Sequence, residues 1–190
     1  MRIEAVVLAA GSSRRMGTTQ KLLCRVNGKP LIRHVIDAFR ENELEPLIVL
    51  GPIDRGLQIE LEDCMTAVNP DHEKGMGSSL AFGIAQLPEF DGVLVALGDH
   101  FGVSTILLEQ MVREADATCI LRAHYPDSPI PHPVFFPAKY RADLEALTGD
   151  QGAKSVLQLH RDNVREIEGD RAPIDIDTPD DLRRVMLQWK

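Results

Sequence analysis

Ile3-Glu4-Ala5-Val6-Val7-Leu8-Ala9-Ala10-Gly11-Ser12-Ser13-Arg14-Arg15-Met16-Gly17, with Lys21 four residues further on, decides how the chain is read. The apolar run from Ile3 to Ala9 has no helical period and breaks abruptly into small and basic residues. That pattern predicts a strand buried on both faces that empties into a loop. Gly11 and Gly17 bracket the loop, and glycine's tolerance of positive φ lets backbone N–H groups converge on an anion. Arg14, Arg15, Lys21 and Arg25 place four cations within twelve residues. A phosphate-rich ligand is the expected guest.

The rest of the chain is acidic. A net charge of −8 over 190 residues argues against nonspecific nucleic-acid binding, but a local basic loop can still hold a nucleotide. With 44% hydrophobic and 26% charged residues, residues 1–190 read as one globular domain. Cys24, Cys64 and Cys119 are odd in number and lack metal-like spacing, so they are expected to be buried thiols. The start runs directly into a strand, so no signal peptide is expected, and no apolar run approaches the roughly 20 residues of a membrane span. A cytoplasmic location follows from these expectations.

Strand and helix patterns alternate onward. Pro30 is placed at the first position of a helix whose apolar stripe is Leu31, Val35, Ala38 and Phe39. Leu47 to Leu50 and Thr66 to Val68 read as strands, with a weak helix near residues 53 to 63 between them. Ser78 or Ser79 is expected to cap a helix carrying Leu80, Ile84 and Leu87. Val93 to Leu97 is the clearest buried strand, ended by Gly98-Asp99, which puts a carboxylate where open α/β sheets bind ligands. Ser104 is expected to cap a helix to Ala115, followed by a strand from Ala117 to Leu121. Prolines at 126, 129, 131, 133 and 137 forbid a helix, so residues 124 to 137 predict an irregular excursion with a short strand at Val134 to Phe136, adding a small antiparallel element over the site. Helices follow at 138 to 147 and 153 to 160. The alternation Ile174-Asp175-Ile176-Asp177 puts both aspartates on one face of a strand. Thr178 then caps a last helix, whose buried stripe is Leu182, Val185, Met186 and Trp189. The sum is a three-layer α/β fold with a mostly parallel sheet.

Neither a Walker A loop nor a G-x-G-x-x-G fingerprint is present. The stretch instead resembles the L-A-A-G-x-S-x-R-M-G…K loop of the MobA-like nucleotidyltransferases, matching at Gly11, Ser13, Arg15, Met16, Gly17 and Lys21. Ala10, where the guanylyltransferase branch usually has a second glycine, makes it most similar to the molybdenum cofactor cytidylyltransferase branch. The resemblance runs from Val6 to Leu182 and implies a Rossmann-like nucleotidyltransferase fold. It includes a G-M-x-x-S-L element at Gly75, Met76, Ser79 and Leu80, implied to hold base and ribose, and a T-G-D-Q-G-A-K stretch at 148 to 154 implied to lie near the acceptor. Two places depart from the family pattern. His100-Phe101 follow Gly98-Asp99 where Met-Pro or Gln-Pro is common, and Pro131-His132-Pro133 replaces a Gly-x-Pro. Both departures are expected to face the acceptor.

Carboxylates with no histidine or cysteine at ligand spacing suggest Mg²⁺ held jointly with substrate phosphates. Asp99 and Asp177 are its first-choice ligands, with Asp175 in support. The nucleotide-binding candidates are Leu8, Ala9, Ala10, Gly11, Ser12, Ser13, Arg14, Gly17 and Lys21 from the first loop, and Gly75, Met76, Ser78 and Ser79 from the second. The implied reaction is attack at the α-phosphorus of a nucleoside triphosphate, CTP preferred, by a phosphorylated acceptor, with molybdopterin leading. Arg15 and the loop amides would hold the leaving phosphates, Lys21 would neutralise charge near the α-phosphorus, and Asp99 would act through Mg²⁺. None of the six histidines is needed as a nucleophile, and most are expected at the surface. Two rivals stay open: transfer of a cytidylyl or uridylyl group to another phosphate ester, and a non-catalytic carrier that delivers a nucleotide cofactor to a client oxidoreductase.

Overall fold

A computed structural model describes residues 1–11, 20–52 and 55–188. In chain order the strands are β1 (Ile3–Ala9), β2 (Arg25–Val26), β3 (Lys29–Pro30), β4 (Leu47–Leu50), β5 (Thr66–Val68), β6 (Gly92–Leu97), β7 (His100–Phe101), β8 (Ile120–His124), β9 (Val134–Pro137), β10 (Val164–Glu168) and β11 (Ile174–Asp175). The helices are α1 (Leu31–Arg40), α2 (Arg55–Glu60), α3 (Met76–Gln86), α4 (Thr105–Glu114), α5 (Arg141–Glu145), α6 (Lys154–Leu159) and α7 (Pro179–Gln188). Among the described residues no helix is long and apolar enough to cross a membrane.

Seven strands form the main sheet in the order β10-β8-β9-β6-β1-β4-β5, and only β9 runs against the others. The alternation of β1 explains the three layers. Ala5, Val7 and Ala9 join a core with Ile32, Ile36, Phe39 and Leu108 of α1 and α4, whereas Val6 and Leu8 join a core with Leu80 and Ile84 of α3 and Leu144 of α5. The central strand is therefore apolar throughout, because both faces are covered by helices. Each such fully buried Val, Leu, Ile or Phe contributes about 1.5–3 kcal/mol relative to exposure.

The expected strands and helices are largely present, with corrections. The strand expected at Val134 to Phe136 is present as β9, but it does not lie over the site; it pairs antiparallel with β6 and β8 inside the sheet, where its apolar residues are fully covered. The strand expected at 117 to 121 begins at Ile120, because Asp116 turns the chain by accepting the N–H groups of Thr118 and Cys119. Neither Ser78 nor Ser79 caps α3, which starts two residues earlier after Gly75. Both hydroxyls instead accept from the Asn69 side-chain amide. Pro30 flanks α1 rather than opening it, since it is engaged in the β2–β3 hairpin. Ser104 and Thr178 cap as expected, Ser104 by accepting from Leu107 N–H and Thr178 by accepting from Asp181 N–H. Met186 stays exposed, because the α7 stripe buries Val185 and partly Leu182 against Val26, Phe101 and Ile176; Trp189 lies outside the described residues. The three cysteines are free and half-buried rather than buried.

Gly75 has φ +108, and a Cβ there would meet Gly149 backbone and the Asp150 side chain at 2.3–2.5 Å. This close approach locks the start of α3 against residues 148–150, with Gly77 N–H donating to Gly149 O at 2.7 Å. Gly75→Ala is expected to destabilise the protein by about 1–3 kcal/mol through backbone strain, read as a lower denaturation midpoint with unchanged slope.

Candidate active site

Asp99 follows β6 at the C-terminal edge of the sheet. Gly98 N–H donates to Leu8 O at 2.8 Å, which holds the exit of β6 to that of β1. A Cβ at residue 98 would lie 2.7 Å from the Ile32 Cδ1 methyl and 3.2 Å from Leu8 O, so the turn toward Asp99 is packed closely against β1 and α1. Beyond Asp99, β7 pairs antiparallel with β11 in a two-stranded ribbon that sets Asp175 directly opposite His100. The predicted Ile/Asp strand is thus only two residues long, and Asp177 lies past its end. Ile176 is fully buried in the small core under α7, which turns Asp175 and Asp177 outward to the same side.

Lys21 joins the three aspartates. Its ammonium lies 2.7 Å from Asp99 Oδ2, 2.9 Å from Asp177 Oδ1 and 3.9 Å from Asp175 Oδ1. Burial pulls the Lys21 pKa down, but Asp99 and Asp177 outweigh it and hold the pKa above its ordinary value, so Lys21 is a fixed cation. One nitrogen touching both Asp99 and Asp177 also places those carboxylates within reach of a single metal ion.

Asp175 behaves differently. Desolvation, reinforced by Asp99 and Asp177, pushes its carboxyl up to about 6. The folded state therefore binds this proton more tightly than the unfolded chain, and stability falls as pH rises from about 4 to 6. Asp175→Asn should raise the melting temperature of the metal-free protein above pH 6 and leave it nearly unchanged below pH 4. Thermal scans across that range check this.

A cleft beside the cluster is lined by Leu8, Ala10 and Gly11 from the end of β1, by Gly75, Met76 and Ser79 at the start of α3, and by Asp99. Ala9 is buried in the core behind this wall, and Ser78 donates to Asp71 O. Ser12, Ser13, Arg14, Arg15 and Gly17 lie outside the described residues. His72, Glu73 and Asp150 also line the cleft; Asp150 belongs to the 148 to 154 stretch that the resemblance implied to lie near the acceptor, whereas His72 and Glu73 were not among the candidates. The signal for Asp150 was the Thr148-Gly149-Asp150 turn, which docks on Gly75; His72 and Glu73 carried no pattern of their own.

The histidines overturn an expectation, since only His124 of the six is exposed. His100 is 4% exposed and stacks edge-to-face on His132, ring centroids 5.5 Å apart. Burial, then proximity to His100, lowers His132 to about 4, so it is neutral at pH 7. A further correction concerns donors, because sequence spacing offered no histidine near the carboxylates. One ring nitrogen of His100 and one oxygen each of Asp99 and Asp175 lie within 4.8 Å of one another. That donor set fits a divalent ion.

The cleft and the acidic cluster lie at the C-terminal edge of a mostly parallel α/β sheet, where such sheets bind their ligands. The chain belongs to the MobA-like NTP transferase domain family, which it matches over residues 5–164. It is similar to the crystal structure of Rv0371c from Mycobacterium tuberculosis H37Rv, with TM-score 0.88 and 30% identity over 98% of each chain. A second structure of Rv0371c, complexed with manganese, has TM-score 0.84 and 26% identity, with 98% of each chain covered. Nicotine blue oxidoreductase of Paenarthrobacter nicotinovorans is 28% identical, covering 97% of this chain and 96% of its own. The bifunctional protein GlmU of Corynebacterium aurimucosum is 29% identical over 86% of this chain but only 35% of its own length, so the chain spans about a third of that relative.

Proposed function

We propose that this is a single-domain nucleotidyltransferase that moves CMP from CTP to a phosphorylated acceptor and releases pyrophosphate, with molybdopterin the leading acceptor. The observation that carries the reading is Lys21 held between Asp99 and Asp177 at the edge of the nucleotide-sized cleft. Asp99 and Asp177 would hold Mg²⁺, with Asp175 in support; the manganese bound in the Rv0371c structure favours a divalent ion here. Such an ion supplies charge neutralisation at the phosphate oxygens. Lys21 supplies a second, fixed cation for charge between the α-phosphorus and its leaving oxygen. Arg15 and the loop amides hold the leaving phosphates. Asn69 fixes the hydroxyls of Ser78 and Ser79, and Ser79 presents a small polar group to the base. A phosphorylated acceptor needs no strong base, so catalysis is positioning and charge stabilisation.

Pyrophosphate release is the test, with molybdopterin and common phosphate esters offered side by side. With CTP, GTP, ATP and UTP at equal concentration, CTP should turn over fastest; a purine preference overturns the base assignment. Tight cofactor binding without pyrophosphate release overturns transfer and supports the carrier reading. A second reading rests on one finding, the alignment with nicotine blue oxidoreductase along nearly the full length of both chains. Under it the cleft serves an oxidoreductase reaction. Oxidation of a reduced dinucleotide with a dye acceptor, in the absence of any nucleoside triphosphate, separates the two.

A further inference from the structure

The backbone register sets His100 opposite Asp175 across the β7–β11 ribbon, and paired residues of an antiparallel ladder project to the same side. Asp99, the residue before His100, is turned to the same place by its contact with Lys21. His100 is buried, and its Nδ1 has no hydrogen-bond partner among the described residues. A buried polar nitrogen without a partner is rare and calls for a ligand. One donor atom from each of Asp99, His100 and Asp175 lies within 4.8 Å of the other two. Adjacent ligands of an octahedral ion at ~2.1 Å stand about 3 Å apart, so a small inward movement completes the set.

We propose that His100 is a nitrogen ligand, and that Asp99, His100 and Asp175 form a mixed site that favours a first-row transition ion such as Mn²⁺ over Mg²⁺. The inference rests on the divalent-ion reading of this cluster but not on the transfer reaction. Mg²⁺ prefers oxygen donors and gives up water reluctantly, whereas transition ions accept imidazole readily. A ring at residue 100 therefore costs Mg²⁺ a favourable donor and gives Mn²⁺ one. His132, packed edge-on against His100, limits how far that ring can turn.

Nucleotide-free protein titrated with Mn²⁺, with and without competing Mg²⁺, tests the proposal. Pulsed electron paramagnetic resonance of the Mn²⁺ complex should show ¹⁴N modulation from one imidazole. In His100→Gln that modulation should vanish, and Mn²⁺ affinity should fall about tenfold while Mg²⁺ affinity stays within twofold. In His132→Gln the modulation should persist, which assigns it to residue 100. Circular dichroism and melting establish that each variant is folded. The proposal is overturned by absence of Mn²⁺ binding, by Mn²⁺ binding without ¹⁴N modulation, by modulation that follows His132, or by equal losses for both metals. Because no nucleotide is present, failure of the transfer reading leaves these outcomes unchanged.

Discussion

Lys21→Ala should lower turnover at least a hundredfold while affinity for the triphosphate changes far less. Losing one preorganised cation at a transition state typically costs ~3–4 kcal/mol of barrier. The structure adds a consequence that a purely phosphate-facing lysine would not have. Lys21 is 7% exposed and ion-paired to Asp99 and Asp177, so its removal leaves neighbouring carboxylates without their counter-charge. A fully buried broken pair would cost about 3–5 kcal/mol. The side chains of Asp99 and Asp177 are 30% and 37% exposed, however, so water screens part of the repulsion. A loss of about 1–2 kcal/mol is expected, or roughly 2–8 °C in melting temperature for a chain of this size. The ammonium and a divalent ion compete for the same oxygens, so the variant should bind Mn²⁺ or Mg²⁺ more tightly, by about tenfold for each 1.4 kcal/mol of relieved competition. Added metal should then restore stability but not turnover. In the working enzyme, Lys21 is expected to leave the carboxylates and turn to the phosphates. Turnover within tenfold of the parent would remove Lys21 from the chemistry, and unchanged metal affinity would show that it does not compete for the site.

How far the sequence carried depended on how local each feature is. The strand at Ile3–Ala9 was readable because burial on both faces leaves no polar position, and β6 was readable for the same reason. That Asp99 and Asp177 each stand just past a strand was readable from the apolar residues before them, whereas their shared contact with Lys21 was not. What stayed hidden came from long-range packing. β9 has only four residues, and its apolar run does not say that it inserts between β6 and β8 against their direction. β10, at the sheet edge, buries only Ile167 fully and carries Arg165, Glu166 and Glu168 outward, so its charges masked it as a strand. Lys21 was assigned to phosphates from its place after the loop, and nothing local to it revealed aspartates 78 and 156 residues away. His100 and His132 were singled out as departures from the family pattern, but their contact depends on β9 crossing beside β6.

Asp99→Asn should reduce metal-dependent turnover about a thousandfold, a barrier change of ~4 kcal/mol at 1.4 kcal/mol per decade. Among the described residues Asp99 alone is shared by the cleft wall, the Lys21 ion pair and the acidic donor set, so its charge bears on both nucleotide and metal. Asparagine keeps the shape and an oxygen that can accept from Lys21, so the fold should survive. It also removes one of the carboxylates that repel Asp175, so the metal-free variant should melt at the parent temperature or slightly above it. In the parent, a ligand that binds only the folded state raises the melting temperature by mass action, about 2.7 kcal/mol at a hundred times its dissociation constant. In the variant, Mg²⁺ with CTP should no longer produce that rise, because an amide oxygen is a poor substitute for a carboxylate toward a hard dication. The two readouts separate the possible errors. Full activity would mean that the phosphates are neutralised elsewhere, and Asp99 would then be only a counter-ion for Lys21. Lost activity with the metal-dependent stabilisation intact would mean that the ion sits on Asp175 and Asp177, and that Asp99 acts on turnover through its hold on Lys21.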